Sequence, residues 1–186
     1  MKKNKISFET SIWAGYAAEN PFKAIDAFFA FAHLDYYKHS LNEAVLYSYK
    51  TKIYRQENPS DVFILYTVIK SFLKMCYCLK EKSKKWKIAA SLRSETVFHL
   101  SSLTKEEYEN PFTVFQKAFA EKTLEEFESF LYQTLELSLS PHAGDSDPDL
   151  MTPYIHVIKM LDAVELVRER GVEKIKKLPK MVSATE

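Results

Sequence analysis

The sequence predicts an all-α protein: a four-helix bundle made of two helical hairpins related by internal duplication, with a short superhelical stack of α-hairpins as the alternative. Three observations carry that prediction. The 186 residues include only 3 glycines, too few for the tight turns of a β-rich fold. Asn-Pro or Asp-Pro dipeptides stand at Asn20-Pro21, Asn58-Pro59, Asn110-Pro111 and Asp147-Pro148, each ahead of a long amphipathic segment. The tetrad Glu19-Asn20-Pro21-Phe22 returns as Glu109-Asn110-Pro111-Phe112, ninety positions later.

The dipeptides read as helix starts. Asn or Asp at the N-cap accepts a bond from an orphan backbone N–H, and proline at the next position has no N–H to leave orphaned. The first helix is expected from Pro21 to about Lys50, apolar nearly all round from Phe22 to Tyr37. The second is expected from Pro59 to about Lys82, with Ile64, Val68, Phe72, Met75 and Leu79 at helical spacing. The third runs from Pro111 to about Leu139 on Phe112, Phe115, Phe119, Leu124, Phe127, Leu131 and Leu135. The fourth runs from Pro148 to about Arg170 on Ile155, Ile158, Leu161, Val164 and Val167, with Pro153 in its opening and Gly171 as its stop. Asp61 and Asp149 place negative charge in first turns, where the helix dipole favours it. Residues 1–18 and 88–108 carry weaker helix signals. Thr96 to Leu100 reads as a short extended piece, and the chain after Pro179 as a frayed tail.

At the ninety-residue offset, residues 1–50 and 91–140 share eleven identities, among them Phe29/Phe119, Leu34/Leu124, Leu41/Leu131 and Ser48/Ser138. About three would arise by chance at ~6% per position. Val68-Ile69-Lys70 recurs as Val157-Ile158-Lys159, one residue short of the same spacing. The expected organisation is a single domain over residues 1–186 with an internal repeat of 1–90 and 91–180.

Composition narrows the function. The net charge of +1 conceals a split: residues 1–100 carry 16 basic and 9 acidic groups, and residues 101–186 carry 10 and 16. Such a split fits docking of one half on the other, head-to-tail self-association, or a basic face for an anionic partner. Gly15, Gly144 and Gly171 cannot build a phosphate-cradling loop, and no GxSxG elbow exists. Cys76 and Cys78 lie two apart in an apolar run and read as small buried hydrophobes in a reducing cytosol. With no apolar leader and no run of 18 apolar residues, the expectation is a cytoplasmic protein without a membrane role.

Several residue sets invite a chemical reading. On one continuous first helix, Asp26, His33, Tyr37 and Ser40 would share a narrow arc. His33 would then act as acid or base, with Asp26 orienting it, in a small-ligand site of Asp26, His33 and Tyr37. The competing reading makes them separately satisfied buried polar groups, or turns Asp26 to solvent. The five histidines form no ExxH or HxxxH pair, so neither a metal nor a cofactor is expected. Asp145, Asp147 and Asp149 resemble the opening of a calcium loop but lack its glycine and terminal glutamate, and read as a solvated loop with a helix cap.

A basic segment over 80–93 offers Lys84, Lys85, Lys87 and Arg93 to phosphates, with Trp86 available to stack on a base. A second basic segment covers 168–180. Cations at helix C-termini also complement the dipole, and the pI of about 7.7 is low for a dedicated nucleic-acid binder.

Aromatic residues reach 14%, more than one thin bundle can hide, so either the core is aromatic or some of them form an exposed partner surface. The first expectation is therefore a non-enzymatic protein acting through protein–protein contact or self-association as a homo-oligomer such as a dimer. The alternatives are a nucleic-acid-associated regulator using 80–93 and 168–180, and a ligand-binding bundle or enzyme centred on His33.

Overall fold

Asn20 opens α1 (Pro21–Phe31): its Oδ1 accepts from the Phe22 amide at 3.1 Å, and Pro21 takes the first helical turn. The computed structural model describes residues 20–50, 53–54, 60–89, 101–140 and 148–175. Seven helices make up 76% of these residues, with two three-residue strands, so the fold is all-α.

The segment expected as one helix from Pro21 to Lys50 is two. α1 ends at Phe31, Ala32 and His33 turn extended, and α2 (Leu34–Ser48) begins. The phenol of Tyr37 on α2 donates to the Phe28 carbonyl on α1 at 2.6 Å and ties the two helices across the turn. The later half breaks alike, between α5 (Phe112–Glu121) and α6 (Leu124–Leu139). There the cause is a capping box: the Glu126 amide donates to Thr123 Oγ1 at 3.2 Å, and Glu126 Oε2 accepts from the Thr123 amide at 2.7 Å. His33 has the same extended backbone without a side-chain cap.

The remaining elements follow from local chemistry. α3 spans Ser60–Lys82; Asn58-Pro59 lies outside the described residues. A second capping box, Thr104 with Glu107, opens the short α4 (Lys105–Glu109). Asn110 closes α4 and does not cap α5 with its side chain; its carbonyl accepts from the Thr113 amide and hydroxyl at 3.0 and 2.7 Å. α7 (Met151–Arg170) starts later than Pro148, because Asp149 Oδ1 accepts from the Thr152 amide at 3.0 Å and acts as the cap. Pro153 sits in the first turn, where a missing N–H costs nothing. Gly171 ends α7 at φ 73° and ψ 176°, a conformation essentially confined to glycine.

Two strands were not expected. β1 (Trp86–Ile88) follows α3, β2 (Val172–Lys174) follows α7, and they pair antiparallel with Lys87 opposite Glu173. Thr96 to Leu100 and the chain after Pro179 lie outside the described residues.

One hydrophobic core runs through all the long helices. α1 buries Pro21, Ala24, Ile25, Phe28 and Phe29, a regular i, i+3, i+4, i+7, i+8 stripe. α3 packs on α5 and α6 from the other half of the chain, and α7 packs on α1 and α2 in return. α2 and α6 make the most extensive pairing. Small residues line it: Ser48 Oγ donates to the Thr134 carbonyl at 3.1 Å, and Ala44 and Ser138 are buried. Ion pairs flank the core with their signs exchanged: Lys38 on α2 pairs with Asp162 on α7, while Glu128 on α6 meets Lys70 and Lys74 on α3 at 3.4 and 3.6 Å. Cys76 is buried as expected, but Cys78 is exposed, because it lies on the outward face of α3.

Candidate functional site: three polar clefts

The break at Ala32-His33 dissolves the arc expected of Asp26, His33 and Tyr37. Asp26 is exposed on α1, and His33 is exposed at the cap position of α2. Tyr37 is buried and already engaged with Phe28, and burial pushes its phenol well above the usual tyrosine range. Ser40 is buried on α2. The three expected ligand-site residues therefore do not converge on one surface.

His33 instead lines a cleft of about 380 Å³ between the start of α2, the approach to α4, and α7. Its centre is Asp162, 5% exposed, a carboxylate on an otherwise apolar turn of α7. Asp162 pairs with Lys38 and accepts from the Ser102 amide and hydroxyl at 2.8 and 2.7 Å. One turn on, Glu165 lines the same cleft, and burial raises its carboxyl above the ordinary range although the Arg168 guanidinium, 3.1 Å away, pulls it down. Such a carboxyl can hold a proton where a solvated one would not, which suits acid–base work. The hydroxyls beside it are Ser101, which lines the cleft, and Ser102, which is engaged with Asp162. The signal for Asp162 was present in the sequence, as a lone acid between the core residues Leu161 and Val164.

A second cleft, of about 570 Å³, lies between α5 and α7. Glu107 closes one side. Its Oε2 accepts from the Thr104 amide at 3.0 Å and from Lys159 Nζ at 2.8 Å, and Lys117 lies 3.6 Å from its other oxygen. Burial alone would raise this carboxyl, but those two hydrogen bonds and the two lysine charges outweigh it and hold the group below the usual range. His156 Nε2 stands 2.9 Å from Glu121 across the cleft. The Thr104-x-x-Glu107 spacing is a readable capping-box signature.

The third cleft, of about 280 Å³, adjoins the β1–β2 ribbon. It is here that the expected nucleic-acid residues fall. Lys84, Lys85 and Lys87 are exposed; Lys87 pairs with Glu173 at 3.4 Å. Trp86 is half-buried, met edge-on by Phe22 at 5.0 Å between ring centroids, with Lys174 Nζ 5.4 Å over its ring. Arg93 and residues 176–180 lie outside the described residues. Arg168 and Arg170, which open the second basic segment, are engaged within the chain: Arg168 on Glu165 and over Phe29, Arg170 on the Tyr108 carbonyl at 2.8 Å.

Among the described residues, no three His, Cys, Asp or Glu side chains are grouped so as to hold a metal ion. Asp149 serves as the α7 cap, and Asp145 and Asp147 lie outside the described residues. One helix, α3, is long and apolar enough to cross a membrane by length and composition, but 56% of its most apolar window is buried in the bundle. No protein-family model matches the chain, and neither curated proteins nor solved structures provide a match.

Proposed function

We propose that the protein is a non-enzymatic, cytoplasmic interaction protein that self-associates through the outer face of α3. The carrying observation is an exposed apolar patch at the start of α3. The inner face of the helix supplies Val62, Leu65, Ile69, Phe72, Leu73, Cys76 and Leu79 to the core, while Phe63 and Ile64 remain 56% and 43% exposed on the outside. Adjacent large apolar side chains left exposed mark a surface for a partner. α3 lies in the basic half, so the acidic half of a second copy complements it in charge. The bundle scaffold fits a duplicated helical hairpin: α2 and α6 begin at Leu34 and Leu124, ninety positions apart, and each half lends its long helix to the other's hairpin.

Size-exclusion chromatography with light scattering tests this. The wild-type chain is expected to run as a dimer or larger, against a monomer of 21.7 kDa. Phe63→Lys with Ile64→Lys is expected to return it to monomer with unchanged helicity. A monomeric wild type at tens of micromolar would refute self-association.

A second reading, a nucleic-acid-associated role, is favoured by one observation. β1–β2 pairing brings the two basic segments side by side, with Lys87 and Lys174 on the ribbon and Lys84 and Lys85 in the turn that leads into it. Binding of single-stranded RNA is then expected to fall steeply with salt. Lys84→Ala with Lys85→Ala should lower the log–log salt slope by about 1.4, at ~0.7 per phosphate contact. Salt-independent or absent binding would exclude this role.

A further inference from the structure

The ribbon cleft has more than charge. Its apolar wall comes from Trp86, Ile88 and the buried ring of Phe112. Its polar wall comes from the junction of α4 and α5, where Asn110 is exposed and Gln116 Nε2 donates to Ser83 Oγ at 2.9 Å. That bond uses one donor of Gln116 and fixes the carboxamide plane. The amide oxygen and second N–H remain for another partner. The Asn110 side chain is similarly spared from capping, since α5 has no side-chain cap. A flat apolar wall beside two carboxamides is the chemistry that receives a nucleobase: the face lies against rings and methyls, and the edge finds paired donor and acceptor groups.

The charges around the cleft are ordered. Lys87 lies on the ribbon side, Lys84 and Lys85 stand in the turn that leads into β1, and Glu109 lies on the opposite side. A phosphate is drawn to the lysines and repelled by the carboxylate. Glu109 can instead accept from sugar hydroxyls, as acidic side chains do beside bound ribose. The Lys87–Glu173 pair is exposed on both sides, with 62% and 56% of the side-chain surface free, so yielding Lys87 to a phosphate costs little.

We propose that this cleft binds one nucleotide unit, free or within single-stranded RNA. The base sits against Trp86 and Ile88, its edge is read by Asn110 and Gln116, and its phosphate is held by Lys84, Lys85 and Lys87. The proposal rests on the nucleic-acid reading above and adds to it a defined base site.

The test is equilibrium binding of the full chain to a fluorescein-labelled octaadenylate and, by competition, to AMP and to inorganic phosphate. Wild type, Asn110→Ala, Gln116→Met and the Lys84→Ala/Lys85→Ala pair are compared, with circular dichroism to verify folding. Asn110→Ala and Gln116→Met are each expected to weaken oligonucleotide binding about tenfold without changing its salt slope. The lysine pair is expected to lower the slope. AMP competing far better than inorganic phosphate would assign the site to free nucleotides as well as strands; octaadenylate binding without AMP competition would assign it to strands. Unchanged affinity in both carboxamide variants, with the lysine effect intact, would overturn the base site and leave the charge-based reading standing. No binding by wild type would overturn both.

Discussion

Replacing Lys38 with methionine is expected to destabilise the fold by about 3 kcal/mol, the lower end for breaking a buried ion pair. Asp162 is almost completely enclosed, and Lys38 is its countercharge. Without Lys38 the carboxylate keeps only the two hydrogen bonds from Ser102. Lys38 itself is a quarter exposed, so water replaces part of the lost interaction and the effect falls short of a fully buried pair. The check is a denaturant titration in which the midpoint falls while the slope stays constant. The double variant Lys38→Met with Asp162→Leu is expected to recover most of the loss, because an apolar pair of similar size carries no desolvation cost. Equal losses in the single and double variants would mean that the charge on Asp162 is not the source. Glu128, which meets Lys70 and Lys74 on the opposite flank with 29% of its side-chain surface free, provides the contrast. Glu128→Gln is expected to cost under about 1 kcal/mol.

Phe28→Ala is expected to cost about 4 kcal/mol, the largest effect of any single truncation considered. Phe28 is the middle ring of three. Tyr37 stacks on it at 4.1 Å between centroids and 14° between planes, and Phe72 lies 4.8 Å from it at 30°. The stack joins α2, α1 and α3, and all three rings are fully buried. Removing the central ring opens a cavity that the flanking rings cannot fill without leaving their rotamers. Tyr37→Phe, which removes only the hydroxyl bond to the Phe28 carbonyl, is expected to cost about 1 kcal/mol. Thermal and denaturant unfolding of the two variants give the comparison, and a cost below about 1 kcal/mol for Phe28→Ala would show that the first hairpin is not anchored there.

These residues also show where sequence reading ran out. The helical character and the start at Asn20-Pro21 were legible, because the cap and the proline act within a few residues. The break at Ala32-His33 was not. Apolar residues continue through it, and His33 gives no side-chain cap. Its only sequence signal lies ninety positions on, in the Thr123-x-x-Glu126 box of the matching segment. With the break unread, Asp26, His33 and Tyr37 fell on one imagined arc, whereas the turn leaves two exposed and buries the third. The strands were illegible for a different reason. Three residues carry no periodicity, and each strand exists only because its partner lies 86 positions away in the chain. The clefts inherit that limit. Lys84 to Lys87 could be read as basic, but their meeting with Asn110 and Gln116 depends on how the whole chain is arranged.

The ribbon joins the ends of the two longest helices, and this sets an order of events in folding. Trp86 and Lys174 enclose nearly half the chain between them. Closing so long a loop is entropically costly, and a three-residue strand pair returns too little to drive it. The ribbon therefore cannot nucleate; it closes only after α3 and α7 have docked on the opposite hairpins. It is a latch, set last and released first, and the cleft beside it keeps its ribbon wall only while the latch is closed. Opening the ribbon removes one wall of that cleft, so a ligand that bound there would favour the closed latch.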